Sequence, residues 1–332
     1  TAGNPQNGYS YQRQEADAWA LFGSVDYRIS DVWSVKAGLR YSKDKKDFKA
    51  ARPQPTFQSP TLRPILEKTD DSKTNWDLST TYKLSDKVNL YGRIAPGYRA
   101  SSIQGRILFC ADFEGGVNPA TNCVSVAKPE DMTSGEIGLK TILADQRLRF
   151  NLTAYTYEVK GQQITAVGGK YNTAPLLNAD KTQGYGFESE LEYIHSGNAW
   201  ANIGLSYNGT KIKDKNLYVA PCGGGCTVTD PVTSQGALVD GNRLPHAPEW
   251  IFNGIVNYQS DAYNRGIFAS FDWAYYSEKS FFLYESKEFK GDGLTLGLRA
   301  GYGWNGGKYE VALWARNLAD AVIVEGGIDF DN

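Results

Sequence analysis

The segment VWSVKAGLRYSKD, residues 32–44, alternates between apolar and polar side chains along almost its whole length. Successive side chains of a β-strand point to opposite faces, so this alternation predicts a strand with one apolar face and one hydrated face. The apolar face must meet either a protein core or lipid. Its members are Trp33, Val35, Ala37, Leu39 and Tyr41.

Composition limits the classes of protein that can contain such strands. The 332 residues have a mean hydropathy of −0.45 and no stretch of about eighteen consecutive apolar residues, which excludes a helical membrane protein. A membrane β-barrel is compatible with these values, because half of each strand faces water. The formal net charge of −2 gives no electrostatic reason to expect nucleic acid as a partner.

Scanning the whole chain for the two-residue period predicts about twelve strands. Each is longer than the five or six residues usual in a soluble sheet, and long enough to cross the apolar layer of a membrane at a tilt. The predicted strands span residues 13–30, 32–48, 72–85, 87–99, 130–143, 147–160, 181–195, 198–213, 247–260, 265–280, 292–304 and 307–318.

The connections between these strands alternate between short turns and long loops. Outer-membrane barrels show this asymmetry, with short periplasmic turns and long extracellular loops. A soluble sandwich has no reason to maintain it through twelve strands. The long connections span residues 49–71, 100–129, 161–180, 214–246 and 281–291.

Aromatic residues mark both ends of the apolar face on three predicted strands. The two members of each pair lie eight residues apart, which corresponds to roughly 26 Å along a strand. An apolar band of roughly 25 Å between two aromatic girdles is typical of a membrane β-barrel. The pattern predicts that the apolar face meets lipid, with a girdle that includes Trp19, Tyr27, Trp33, Tyr41, Trp250 and Tyr258.

The opposite face of the strands should line a hydrated lumen. It carries charges of both signs, which suits a wide barrel that holds water or a polar plug. These charges either form a solvated wall or line a pathway for a ligand or ion. Those predicted to face the lumen include Arg40, Arg93, Glu188, Glu190, Glu192, Arg299 and Arg316.

Four cysteines fall into two local pairs within long connections, Cys110 with Cys123 and Cys222 with Cys226. An even count in local pairs predicts disulfides and an oxidising compartment. The alternative is a zinc site, which needs further Cys or His ligands at suitable spacing, and CGGGC has no histidine near it. No metal site and no cofactor are predicted.

Candidate ligand contacts come from the ends of the strands and from the long connections. Phe281, Phe282 and Tyr284 can stack on a ligand held above a lumen, or they can pack the loops against each other. Tyr98 and Arg99, where a strand meets a long connection, are further candidates. The two histidines have no triad-like partners, so the sequence does not predict an enzyme.

Five segments, in order, resemble the barrel of TonB-dependent outer-membrane receptors, particularly the siderophore-receptor-like group. The resemblance covers approximately residues 13–320. The segments are NLYGRIAPGYRASSIQGR (89–106), MTSGEIGLKTILADQRLRFNLTAYTYEVKGQQI (132–164), TQGYGFESELEY (182–193), GNRLPHAPEW (241–250) and ALWARNLAD (312–320).

The resemblance implies a barrel of about 22 strands with an N-terminal plug, in the outer membrane of a Gram-negative bacterium. It further implies active import of a scarce ligand, by default a ferric siderophore, with energy from TonB together with ExbB and ExbD. Outer-membrane lipid and lipopolysaccharide would surround the barrel.

Two features depart from the pattern of this family. Residues 1–332 include neither a plug nor a segment that binds TonB, and no strand follows ALWARNLAD. We therefore expect residues 1–332 to be part of a transmembrane barrel domain whose first strands and last strand lie outside this chain. The alternative is a passive porin-like or adhesin-like barrel of about twelve strands.

Overall fold

The structure is a computed structural model that describes residues 9–54, 61–105, 107, 124–167, 174–261 and 265–327. The regular secondary structure in these ranges consists of strands. Within them there is no helix with the length and apolarity that a helical membrane span requires.

Seventeen strands are present in the described ranges, and twelve of them are long. In chain order they are β1 (Tyr11–Arg28), β2 (Trp33–Arg52), β3 (Leu62–Ser85), β4 (Val88–Arg99), β5 (Ser102–Gly105), β6 (Val124–Ala127), β7 (Glu130–Leu143), β8 (Leu148–Thr165), β9 (Leu176–Ser196), β10 (Ala199–Ile212), β11 (Tyr218–Val219), β12 (Val232–Thr233), β13 (Gly236–Leu238), β14 (Trp250–Asp261), β15 (Arg265–Ser280), β16 (Lys290–Trp304) and β17 (Tyr309–Arg316).

The twelve long strands form one antiparallel sheet, in which each strand lies beside the next long strand along the chain. This confirms the predicted all-β fold and the twelve predicted strands. The short strands form two small sheets in the long connections, a β5–β6 hairpin and a β11–β13–β12 sheet. The sequence did not predict them, because two to four residues are too few to show a period.

Several long strands extend beyond their predicted ends at the long-loop side of the sheet. Strand β3 begins at Leu62, ten residues before its predicted start, and it stays paired with β2 as far as Arg52. Residues 62–71 carry charges on both faces and therefore lack the apolar alternation that signals a strand. Pairing with β2 holds these residues in a strand, although their own sequence pattern does not indicate one.

The sheet has one continuous apolar face and one continuous polar face. Directly paired residues in an antiparallel sheet point to the same side, so the register shows whether the faces stay in phase from strand to strand. Apolar residues are paired with apolar residues across the sheet: Leu39 with Trp76, Leu78 with Ile94, Leu139 with Leu152, Leu205 with Phe252, and Phe271 with Leu298.

The predicted girdle residues all lie on this apolar face. Trp19, Tyr41 and Trp250 lie towards the long loops, and the Trp19 and Tyr41 rings are 5.4 Å apart. Tyr27 and Trp33 flank a short turn at the other end, where Tyr258 also lies. All six side chains are exposed. A surface in contact with water rarely exposes apolar side chains over so large an area, so this face is suited to contact with lipid.

Glycines on the polar face make room for tyrosine rings from the neighbouring strand. Gly138 lies opposite Tyr91, and Gly184 lies opposite Tyr157. In both pairs the tyrosine ring occupies the position that a Cβ atom on the glycine would take. Both residue types are frequent in the chain, with 35 Gly and 21 Tyr, and this packing uses one of each.

We predict that Gly138→Ala destabilises the sheet by about 1–3 kcal/mol, because the new methyl group would overlap the Tyr91 ring. The measurement is the urea midpoint of the full-length protein folded in lipid vesicles. Gly135→Ala is the matched control, since it lies on the same strand with no atom within 4 Å of the added Cβ. Equal midpoints for the two variants would contradict the packing argument.

Candidate functional site

The charged side chains predicted to face a lumen share the polar face of the sheet. Register places them there: Arg93 lies opposite Glu136, Arg149 opposite Glu192, and Arg316 opposite Gly297. Glu188 and Glu190 follow on the same face of β9. Arg40 and Arg299 complete the set of seven, on β2 and β16.

Ion pairs hold several of these side chains in place. Arg149 Nη1 lies 2.7 Å from Glu192 Oε2. Near the short turns Glu310 pairs with both Arg265 and Arg299, and the two guanidinium groups lie 4.2 Å and 4.8 Å from the centre of the Phe268 ring. These pairs are partly exposed, so each contributes at most about 1 kcal/mol, and their main effect is to fix the orientation of the side chains.

The backbone ladder between β3 and β4 ends part-way along the two strands. Pairing stops at Leu78 with Ile94, whereas β4 continues to pair with β7 as far as Arg99. Pro96 lies two residues past the break and has no N–H to donate to a ladder. Further along, the Ser101 N–H donates to Asp71 Oδ2 at 3.0 Å and holds the chain near β3.

A cavity of about 360 Å³ lies beside this break. Polar-face residues of β2 and β3 line it together with Tyr98, which the two-residue period of β4 places on the side of Ile94, so the cavity occupies the gap between the strands. Its polar lining consists of Arg40, Ser42, Asp44, Asn75 and Tyr98. Tyr98 Oη and Asn75 Oδ1 are both buried, and within the described residues neither has a hydrogen-bond partner. Because a buried polar atom without a partner costs about 1–3 kcal/mol, these two atoms mark a place where a polar group from outside the described residues would bind favourably.

The chemistry of this cavity suits an oxygen-rich ligand. The Tyr98 hydroxyl can donate a hydrogen bond, and the Arg40 guanidinium supplies a positive charge. Arg40 Nε already donates to Ser42 Oγ at 3.0 Å, which orients the guanidinium group. Arg99 does not line the cavity; it is exposed, and its Nη1 lies 3.9 Å from Glu130 Oε1.

The aromatics of the β15–β16 connection pack the long loops together. Phe281, Phe282 and Tyr284 are only 6%, 6% and 1% exposed, within a cluster that also contains Ile212 and Val239. The sequence left open whether these rings stack on a ligand or on other loops. In the structure they pack into this loop cluster: Phe281 stacks on His246 of the β10–β14 connection, and Phe282 stacks on Tyr284 of its own connection. Burial of these rings removes apolar surface from water, which stabilises the cluster.

A disulfide closes part of the same loop cluster. Cys222 and Cys226 are bonded, as predicted, with their Cα atoms 6.1 Å apart, and both pack against the buried cluster. The predicted partners Cys110 and Cys123 lie outside the described residues. Within the described part of the chain, no group of three or more His, Cys, Asp or Glu side chains is arranged to hold a metal ion.

Glu288 fastens the β15–β16 connection to the β10–β14 connection. The Thr227 N–H donates to Glu288 Oε2 at 2.7 Å, and the Thr227 hydroxyl donates to Oε1 at 2.9 Å. The hydrogen bond from the backbone N–H is the main reason that the pKa of Glu288 lies below its usual value of 4.5. Asp230 makes a second link, accepting from the Glu285 N–H at 2.7 Å and from Asn242 Nδ2 at 2.9 Å.

The Glu288 contact makes the loop cluster sensitive to acid. A carboxyl group whose pKa is lowered in the folded state stabilises that state above its unfolded pKa of about 4.5, and the stabilisation is lost as the pH falls through the lower folded value. We predict that the hydrogen-exchange protection factor of the Thr227 amide decreases across this acid range. In Glu288→Gln the decrease should be absent.

Glu285→Gln is the control for this measurement, because that carboxylate lies in the same connection and makes no hydrogen bond to Thr227. It should retain the wild-type response to pH. A protection factor in Glu288→Gln that still falls with acid would assign the sensitivity to another group.

Comparison with known proteins identifies the architecture. A family model described as TonB dependent receptor-like, beta-barrel, matches residues 1–318. The chain belongs to this family. The family consists of transport receptors, in agreement with the prediction that the chain is not an enzyme. The match also confirms that the sheet is part of a transmembrane antiparallel β-barrel of the outer-membrane type.

Relatives of this TonB-dependent receptor chain are distant and longer. It is 24% identical over 249 residues to the pesticin receptor of Yersinia enterocolitica and 23% identical to that of Yersinia pestis; the aligned region is 73% of this chain and 30% of each relative. The chain therefore spans less than a third of the length of these curated relatives.

Solved structures share the fold at low sequence identity. The ferric yersiniabactin uptake receptor FyuA from Yersinia pestis matches with a TM-score of 0.68 and 18% identity, over 94% of this chain and 42% of that one. The siderophore receptor PiuA from Acinetobacter baumannii matches with a TM-score of 0.65 and 15% identity, over 94% and 40%. The ferric-catecholate import receptor Fiu from E. coli gives 0.61 and 17%, over 93% and 41%.

The cavity residues differ in how well the sequence indicated them. Tyr98 was a candidate because it ends a strand, and Arg40 was assigned to the polar face. Asn75, Ser42 and Asp44 were not singled out, since each reads as an ordinary polar position on a hydrated strand face. Only the break between β3 and β4 distinguishes them, and Pro96 was the one signal in the sequence that could have suggested it.

Proposed function

We propose that this chain forms part of the barrel wall of a TonB-dependent importer that carries a ferric siderophore across the outer membrane of a Gram-negative bacterium. The observation that carries the proposal is the continuation of one apolar face and one polar face across twelve paired strands, in a chain of this receptor family. Such a wall separates lipid from a hydrated lumen.

The cavity beside the β3–β4 break is the proposed ligand contact of this wall. A ferric siderophore presents oxygen atoms that accept hydrogen bonds, and the Tyr98 hydroxyl and the Arg40 guanidinium are suitable donors. Asp44 and Asn75 accept hydrogen bonds from hydroxyl or amide groups elsewhere on such a ligand. In this proposal the other charged side chains of the polar face line the lumen and keep it hydrated. They are Arg93, Glu188, Glu190, Glu192, Arg299 and Arg316.

Energy would come from TonB with ExbB and ExbD, which is the coupling that the receptor family implies. The ion-paired side chains of the polar face, such as Arg149 with Glu192, suit a wall that a moving plug slides against, because their charges are already neutralised.

Tyr98→Phe separates a binding role from a structural one. We predict that the variant keeps or slightly raises the Tm of the full-length receptor in detergent, because it removes a buried hydroxyl that has no partner within the described residues. Its affinity for the ferric siderophore that supports growth should fall by about tenfold, because one hydrogen bond to the ligand is lost.

Tyr258→Phe is the matched control, since that hydroxyl lies on the apolar face at the short-turn end. It should leave the affinity unchanged. A lower Tm for Tyr98→Phe together with unchanged affinity would show that the residue supports the wall and does not contact the ligand.

Growth under iron limitation tests the import itself. We predict that a strain lacking the full-length receptor fails to grow on at least one ferric siderophore from a panel of catecholate, hydroxamate and mixed types. A strain that has the receptor and lacks TonB should fail in the same way. Growth that depends on the receptor and is independent of TonB would instead support the passive barrel.

A further inference from the structure

Three tyrosines on the polar face of β4 and β8 form a group that we name the tyrosine row: Tyr91, Tyr155 and Tyr157. Tyr155 lies opposite Glu136, a residue of the polar face, and Tyr157 lies two residues further along the same strand. The Tyr91 hydroxyl reaches β8, where it lies 2.7 Å from Thr153 Oγ1. The row therefore runs for about 13 Å along the wall, from the long-loop side towards the short turns.

The rings of this row lie flat against the sheet. The Tyr157 ring covers Gly184 and the Tyr91 ring covers Gly138, each on a neighbouring strand. In both pairs a Cβ atom on the glycine would be nearly equally distant from Cε1, Cζ and Oη of the tyrosine. Near-equal distances to three bonded atoms place that position over the face of the ring and not beyond its edge. Because a Cβ points out of the sheet, one ring face covers the wall and the other is turned away from it.

Hydrogen bonds to the wall fix the rings in this orientation. Tyr155 Oη donates to Asn208 Oδ1 at 3.1 Å, and the Tyr91 hydroxyl is bonded to Thr153. The planes of Tyr155 and Tyr157 are within 11° of parallel, with ring centres 6.4 Å apart. All three side chains are half-buried, so part of each ring remains accessible. Since two of the three hydroxyls are bonded to the wall, the row offers a ligand mainly ring faces.

Polar groups that can donate or accept hydrogen bonds flank the tyrosine row. Glu136 lies directly opposite Tyr155, and Glu188 is the diagonal neighbour of Tyr155 on β9. Among the described residues, neither carboxylate accepts a hydrogen bond or forms an ion pair. Lys140 Nζ lies 5.3 Å from the centre of the Tyr91 ring. Hydrogen-bond acceptors and a donor therefore lie beside the flat rings.

This combination suits a sugar ring. The C–H groups on one side of a pyranose ring carry partial positive charge and pack against the negative face of an aromatic ring. The hydroxyl groups of the sugar donate to carboxylates such as Glu136 and Glu188 and accept from an ammonium group such as that of Lys140. An anionic ligand fits less well, because the two carboxylates would repel it. A purely apolar ligand would leave them without partners.

We infer that the tyrosine row binds sugar rings, and that the ligand carried along this wall is glycosylated. The inference rests on the proposed function, since it takes the polar face as the wall of a lumen through which a ligand passes. Register through Ser134 places Tyr157 at the level of Ala95, and Tyr98 lies three residues nearer the long loops. A ligand that enters from the long-loop side would therefore meet the Tyr98 cavity first and the tyrosine row next.

Binding of an uncharged oligosaccharide tests the row without any siderophore. The full-length receptor is purified in a detergent that has no sugar headgroup, and the Kd for a linear glucose oligosaccharide is measured by saturation-transfer NMR. The double variant Tyr155→Leu, Tyr157→Leu removes two ring faces. We expect its Kd to rise by about tenfold, because each aromatic contact contributes a factor of about two to ten.

Two matched variants separate contact with the sugar from support of the wall. The double variant Tyr155→Phe, Tyr157→Phe keeps both ring faces, so its Kd should stay within about twofold of the wild-type value. Tyr276→Leu removes a ring that covers Gly293 on the polar face of β15 and β16, outside the row, and should also leave the Kd unchanged. An equal loss of affinity in Tyr276→Leu and in the leucine double variant would assign the effect to the wall and overturn the inference.

A further comparison uses the unaltered receptor, so that a variant that fails to fold does not end the test. Sorbitol has the hydroxyl groups of glucose but no ring, and it should bind at least about tenfold more weakly than the oligosaccharide. Similar affinities for the two, or no binding of the oligosaccharide, would overturn the inference. A receptor that binds the oligosaccharide and imports no ferric siderophore would support the sugar surface and contradict the proposed siderophore.

Uptake of iron tests whether the imported ligand is glycosylated. The probes are a glucosylated ferric catecholate and its parent without glucose, which differ only in the sugar. We expect Tyr155→Leu, Tyr157→Leu to lower the uptake of the glucosylated form by about tenfold and that of the parent by less than about twofold. Equal losses for the two forms would overturn the assignment of a glycosylated ligand.

Discussion

The need to pair every backbone N–H and C=O group within the sheet is the constraint on which the rest of the structure depends. Inside a membrane no water is available to satisfy these groups, so each strand must pair continuously with its neighbours. Continuous pairing fixes the register, and the register keeps the apolar and polar faces in phase from β1 to β17. The two surfaces that matter for function, one towards lipid and one towards a lumen, follow from this pairing.

The proposed ligand contact lies where that constraint is relaxed. The ladder between β3 and β4 stops before Pro96, and side chains occupy the space beside the break. Tyr98 and Asn75 are left with buried polar atoms that have no partner within the described residues. A complete ladder would have brought the two strands together and closed this space, so the break in regular pairing and the candidate site have the same physical origin.

The long loops are stabilised differently from the wall. They form a compact cluster with its own buried aromatic residues, its own disulfide and hydrogen bonds from Thr227 and Asn242 to carboxylates. A loop cluster with an apolar interior can keep its shape above the barrel without help from the membrane. Phe281, Phe282 and Tyr284 contribute to that interior, and this explains why a run of aromatics occurs in a connection that would otherwise be polar.

The sequence alone determined the strand period, the twelve strands, the two faces and the positions of the six aromatics at the ends of the apolar face. These features depend on side-chain alternation and on spacing along one strand, which are local properties of the chain. The tertiary structure alone decided that the loop aromatics are buried and that Asn75 and Tyr98 share a cavity. Each of these depends on which residues from distant parts of the chain are brought side by side, and that is set by register between strands and by the packing of loops, not by the pattern within any one segment.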